Sequence, residues 1–273
     1  DLAIQVFTGN YHRKFLHQLI SSQLDIDRLD YLKRDSFFTG VAEGNISSDR
    51  LIAMMNVVDD ELVIEKKGIY SVEKFLIARR LMYWQVYLHK TGLVAEHMLV
   101  KVLMRAKELA EKKVDLFGSK ALRFFLYNKV DETNFDDTVL DVFSKLDDYD
   151  VLSAIKEWSY HSDKILSKLS SMIVNRELLK IEMQDKKISE EHELNMKIDF
   201  MKGTGFYQDD TRYFVFKGEI SNQAYNKKQP IKILNKKGEL EDIAKASDQL
   251  NLQALSKPVT KYFICYPKKM ILV

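Results

Sequence analysis

Three residues in the first forty stand at a spacing that suits chemistry. Asp27, Tyr31 and Asp35 lie at i, i+4 and i+8 and share one face if their segment is helical. Two carboxylates and a phenol on one face, with Arg28 beside them, suit a hydrophilic pocket for a metal and a phosphorylated sugar. The same helix offers Leu24, Leu29 and Leu32 to a core. A plainer reading is also open, because Asp30 and Arg34 at i, i+4 form an ordinary surface ion pair, and a charged helical face is often only solvated. A second patch, Ala78 to Lys90, places Arg79, Tyr83 and Tyr87 on one helical face. By itself it reads equally well as a helix with core aromatics and surface arginines.

The elements that must position these residues follow from periodicity. Residues 1 to 198 contain no proline, and their apolar residues recur at helical spacing. Phe15, Leu16, Leu19 and Ile20 make one stripe, and Leu99, Val102, Leu103 and Ala106 another. Phe75, Met82, Val86 and Leu93 fit a face within a long segment from Val72 to Lys113. Ser47-Ser48-Asp49 reads as a helix start, and Ile165 to Asp185 as a long amphipathic helix. The character changes after Gly203-Thr204-Gly205. Arg212–Lys217, Ile231–Leu234 and Tyr262–Tyr266 are short β-rich runs, with a helix expected over Glu239–Leu250. The fold class expected is mainly α: a helical body over 1–198 with a small α+β unit over 199–273.

Bulk properties exclude more than they name. The 273 residues are 46% hydrophobic and 30% charged, as in a soluble globular protein. Forty-two basic and forty acidic residues leave a formal charge of +2, which selects no partner class. An acidic run from Asp131 to Asp150 and a later cluster, Lys227, Lys228, Lys232, Lys236 and Lys237, read as solvated surface. One cysteine, Cys265, forbids an intramolecular disulfide and points to a reducing compartment, with the cytoplasm as default. No apolar run reaches the roughly 18 residues a membrane-spanning helix needs. Phosphate-loop, dinucleotide, Cys-x-x-Cys and nucleophile-elbow patterns are absent, and the lysines are too dispersed for a nucleic-acid groove. The chain opens at Asp1 in what reads as a helix already under way, so a preceding segment is expected.

The string Gln23-Leu24-Asp25-Ile26-Asp27-Arg28-Leu29-Asp30-Tyr31-Leu32-Lys33-Arg34-Asp35 resembles the last motif of the HD-domain deoxynucleoside triphosphate triphosphohydrolases. That family includes the vertebrate SAM-and-HD-domain enzyme and bacterial relatives. Ala78 to Lys90 resembles the family segment R-x7-Y-x-H-K, although Leu88 stands where the family has glutamine. Lys232 to Leu250 is similar to bacterial members. The resemblance implies that Asp27 is the final metal-ligand aspartate and that Arg28 and Arg79 meet the triphosphate. It further implies that Tyr31, Tyr87 and Asp35 meet the sugar. A divalent ion (Mg, Mn, Fe, Ni or Zn), a nucleotide substrate and a homo-oligomer are implied with it. The family's other metal ligands, a histidine and an adjacent His-Asp pair, have no match, since none of the six histidines precedes an aspartate. They are expected upstream, so this polypeptide alone is expected to be inactive. The rival readings are a non-catalytic nucleotide- or protein-binding module, and an HD hydrolase of another nucleotide phosphoester.

Overall fold

The computed structural model describes residues 1–248 and 255–268. Packing groups the chain into two compact units, one made of residues 1–89 and 220–260, the other of 90–219 and 261–273. The first begins with α1 (Leu2–Phe7), α2 (Lys14–Ile20), α3 (Ile26–Thr39) and α4 (Ser48–Ala53). Strands β1 (Met55–Val58) and β2 (Glu61–Glu65) follow, then α5 (Ile69–Met82) and a five-residue π turn over Tyr83–Tyr87. The second unit carries α6 (Lys90–Glu111), α7 (Lys120–Tyr127), α8 (Asp137–Phe143), α9 (Asp148–Trp158) and α10 (Lys164–Val174). It continues through β3 (Lys180–Gln184), α11 (Glu190–Thr204) and β4 (Phe216–Asn222). The chain then supplies β5 (Lys232–Leu234), β6 (Leu240–Asp242) and α12 (Ile243–Ala246) to the first unit and ends in β7 (Val259–Tyr266).

The mainly helical expectation holds, but several elements differ from those read in the sequence. The helical segment from Val72 to Lys113 is broken by the π turn between α5 and α6. The helix expected over Ile165–Asp185 ends at Val174, because Arg176 takes a left-handed φ of 59°. Beyond it, the alternate partial burial of Lys180–Gln184 is a strand pattern, and β3 pairs antiparallel with β7. Only Ile243–Ala246 of the helix expected over Glu239–Leu250 is helical, while Leu240–Asp242 pairs with β5. Residues 249 and 250 lie outside the described part. Arg212 and Tyr213 belong to a 3₁₀ turn, and the strand starts at Phe216. The stretch expected to be wholly helical also contains the β1–β2 hairpin, closed by Asp59 and Asp60 at φ 50° and 64°. Two successive positive φ values make the two-residue turn whose twist suits a hairpin.

Composition divides the chain near residue 198; packing divides it differently. A four-stranded sheet of order β1-β2-β5-β6 joins early and late residues, with Ile64 opposite Ile233 in the parallel β2–β5 pair. Two short strands cannot form a stable sheet alone, so the late strands complete the early hairpin. The core of this unit accordingly mixes Leu29, Leu32, Leu51, Phe75, Leu76 and Met82 with Tyr225, Ile233 and Ile243.

Two glycines define the helix that matters most. Gly40 ends α3 in the left-handed conformation at φ 71°. Gly44, in the turn that follows, leaves no room for a side chain: a Cβ there would lie 2.5 Å from the Met82 sulfur and 2.9 Å from the Ser36 Cβ. That turn is thus wedged between α3 and the end of α5.

In the second unit, α6 buries Leu93, Val94, Met98, Val102 and Ala106 along one face. A polar network fixes α6 to α10. Asp163 caps α10 through the Leu166 amide at 2.9 Å and accepts from Arg105 at 3.1 and 2.6 Å. Burial opposes ionisation of Asp163, but the bonds from Arg105 outweigh it and hold the carboxyl below its ordinary value. Cys265 is fully buried, and burial pushes its thiol up to about 12. Among the described residues, no helix is long and apolar enough to cross a membrane.

A depressed carboxyl contributes stability above the ordinary carboxylate range, and the contribution is lost as pH falls through the lowered value. Asp163→Asn should therefore cost about 2 kcal/mol at neutral pH. It should also flatten the acid limb of the stability profile. Urea unfolding at neutral and acidic pH measures both; an unchanged acid limb would contradict the pairing.

Candidate functional site

The site is built in the first unit from α3, α5 and the π turn. Helix α3 starts at a double-purpose carboxylate. Asp25 is 1% exposed and accepts from the backbone amides of Ser22 at 3.1 Å and Arg28 at 2.8 Å. Its second oxygen also takes the Arg28 guanidinium, which in turn reaches the Ser22 carbonyl at 2.5 Å. Arg28 is thereby turned back over the helix N-terminus, and its buried Nε–H has no partner among the described residues.

One turn on, Tyr31 and Asp35 point to the same side, as their spacing requires. The Tyr87 hydroxyl donates to Asp35 at 2.7 Å. Tyr31 and Tyr87 meet edge to face with centroids 5.8 Å apart, and Tyr83 meets Tyr87 in the same way at 5.2 Å. Tyr83 is also near enough to raise the Tyr31 phenol. Arg79 stands over the Tyr83 ring at 5.7 Å and donates to the Ala224 carbonyl at 3.3 Å. Its Nε–H, too, is buried with no partner among the described residues. The π turn, closed by the Leu88 amide on the Tyr83 carbonyl at 2.7 Å, carries both tyrosines.

The electrostatics agree with this convergence. Burial, followed by the neighbouring Tyr83, raises the Tyr31 phenol, while the charges of Arg79 and Arg28 both pull it down. Burial, then the hydrogen bond and charge of Asp35, hold the Tyr87 phenol far above its ordinary range. Both hydroxyls are therefore protonated donors at neutral pH.

The structure thus brings together Arg28, Tyr31, Asp35, Arg79 and Tyr87. Asp27 differs: it is exposed on the first turn of α3 and makes no ion pair among the described residues. No group of three or more His, Cys, Asp or Glu side chains among the described residues is arranged to hold a metal. One exposed carboxylate does not close a divalent-ion site, so these residues alone do not fit the metal that the resemblance implies.

Two contributors, Asp25 and the segment around Ala224, were not assigned to the site from sequence, and a third, Tyr83, was placed on the face but given no role. Asp25 carried a usable signal, since an aspartate three residues before Arg28 suits a helix cap. Tyr83 was visible only as a helix-face neighbour. The segment around Ala224 carried none. Gln23, 6% exposed, ties that segment to the start of α3, donating to the Asn226 carbonyl at 2.7 Å and accepting from the Asn226 amide at 2.6 Å. No local pattern foretells a pairing across so many residues.

Replacing Asp35 with Asn keeps an acceptor for Tyr87 but removes the charge. Asp35→Asn should lower the Tyr87 titration toward, though not to, its ordinary range, and cost about 1–2 kcal/mol of stability. Tyrosinate absorbance against pH reads the first effect and thermal unfolding the second. An unmoved tyrosine titration would mean that Asp35 is not the partner that matters.

Comparison with known proteins adds a lineage to this geometry. Residues 46–196 match the family model described as the HD associated region. A crystal structure of a phosphohydrolase from Bacteroides thetaiotaomicron is 50% identical, with a TM-score of 0.92 over 98% of this chain and 67% of that one. The uncharacterized protein YwfO of Bacillus subtilis is 30% identical over 98% of this chain, which spans 61% of that protein's length. A Dictyostelium discoideum protein named as a deoxynucleoside triphosphate triphosphohydrolase SAMHD1 homolog is 28% identical over 99 residues, 35% of this chain.

Proposed function

The chain belongs to the HD associated region family, and from that premise we propose that the intact protein is a phosphohydrolase of deoxynucleoside triphosphates that releases deoxynucleoside and tripolyphosphate. The observation that carries this reading is the meeting of two arginines, each with an unpartnered buried Nε–H, with protonated tyrosines and a carboxylate. Arg28 and Arg79 neutralise phosphate charge as it redistributes in phosphoryl transfer. Asp35 orients the Tyr87 hydroxyl and keeps its other oxygen to accept a sugar hydroxyl. Tyr31 and Tyr87 offer ring edges and faces against the sugar. The name of the Bacteroides relative supports hydrolysis of a phosphoester, and that of the Dictyostelium relative supports the nucleotide class.

A divalent ion belongs to the chemistry of such enzymes, and Asp27 is the one residue here assigned to it. The absence of a closed ligand set among the described residues keeps one rival in play, a module that binds nucleotide without hydrolysing it.

The test uses the intact protein with Mg²⁺ or Mn²⁺ and a panel of deoxynucleoside triphosphates, monophosphates and cyclic dinucleotides. Tripolyphosphate release from the triphosphates is expected. Binding without turnover would establish the module, and preferred cleavage of another ester would replace the substrate. Arg79→Ala should lower kcat/KM about 100-fold, the loss of a charge-assisted contact worth ~2.7 kcal/mol. Asp27→Ala should remove turnover together with bound metal; turnover with metal retained would sink that assignment.

A further inference from the structure

Tyr83 touches two residues assigned to this site without being assigned to it itself. Its ring lies under the Arg79 guanidinium at 5.7 Å, and its edge contact with Tyr87, whose ring in turn meets Tyr31 at 5.8 Å, is 5.2 Å. It is half-buried, so its ring is partly desolvated where it meets the cation. The π turn begins at Tyr83, whose carbonyl accepts the bond that closes the turn. Side chain and backbone of one residue therefore meet α5 and the turn at once.

Arg79 shows what this arrangement achieves. An arginine side chain has several rotatable bonds and loses rotamer entropy when fixed. Here it is fixed before any ligand arrives: the Tyr83 ring supports one face, and the Ala224 carbonyl holds one terminal nitrogen at 3.3 Å. The Nε–H remains as the uncommitted donor. Tyr31 meets the Tyr87 ring, which the Tyr83 ring supports in turn.

We propose that Tyr83 is a positioning residue that aims the Arg79 guanidinium at a bound polyphosphate and, through the Tyr87 ring, holds Tyr31 beside it. The assignment rests on the phosphohydrolase reading for its ligand, but its internal geometry can be tested without turnover. Two functions of Tyr83 separate by substitution. Tyr83→Phe keeps the ring under Arg79 and removes the hydroxyl that raises the Tyr31 phenol, whereas Tyr83→Leu removes both.

The experiment combines calorimetric titration of the intact protein with tripolyphosphate and carbon NMR titration of labelled tyrosines. Tyr83→Leu should weaken tripolyphosphate about tenfold, in line with a partly desolvated cation–π contact. Tyr83→Phe should recover most of that affinity, and both variants should unfold within a few degrees of wild type. In an Arg79→Ala background, Tyr83→Leu should cost little more, because the two losses are one interaction. The Tyr31 resonance should titrate at lower pH in Tyr83→Phe, since the hydroxyl that raises it is gone. Wild-type affinity in Tyr83→Leu, or losses that simply add, would overturn the proposal. A wild-type protein that binds no tripolyphosphate would overturn the functional reading instead. The Tyr31 titration then decides the geometry: a value unmoved in Tyr83→Phe refutes the positioning role.

Discussion

The distance between α3 and α5 is limited by what stands between them, and at Gly44 that is a single hydrogen. The Met82 sulfur and the Ser36 Cβ occupy the volume any side chain at that position would need. Ser36 follows Asp35 on α3, and Met82 precedes Tyr83 on α5. A wider separation at Gly44 would therefore draw apart the residues whose contact defines the site. The 2.7 Å bond between Tyr87 and Asp35 and the ring contacts of Tyr31 tolerate only tenths of an ångström. Close packing there is a precondition of polar chemistry one residue away.

The polar residues carry a cost that the apolar packing must sustain. A buried N–H without a partner is worth roughly 1–3 kcal/mol of lost stability. Arg28 and Arg79 each hold one. Asp25 limits the damage by taking the Arg28 charge, and the Tyr83 ring does so for Arg79. The unit is thus less stable than a fully satisfied one of the same core.

What the sequence disclosed and what it concealed have physical causes. The face formed by Asp27, Tyr31 and Asp35 was legible because α3 is regular from Ile26 to Thr39, and the apolar side that fixes its rotation, Leu29 and Leu32, is equally regular. Exposure along that face was not legible, since it depends on neighbours: Tyr31 and Asp35 are half-buried under the π turn, while Asp27 is exposed. The π turn itself was hidden, because Tyr83 and Tyr87 share a face in either helical form. Helix α10 was overread into β3 because nothing in periodicity announces a single left-handed residue such as Arg176. The late strands were read as an appendage because their partners, β2 and α3, lie near the other end of the chain.

That last pairing has a consequence for how the protein is made. The unit bearing the site is interrupted: its first 89 residues wait on residues 220–260 for β5, for Tyr225 and for the Gln23–Asn226 clasp. A chain emerging from the ribosome completes residues 90–219 before those pieces exist. During that interval the β1–β2 hairpin presents an open edge, and the Arg79 side chain has no Ala224 carbonyl to hold it. Contacts between distant parts of a chain form late and fold slowly. The site is therefore assembled as one of the final acts of folding, after the unit inserted within it has had time to form.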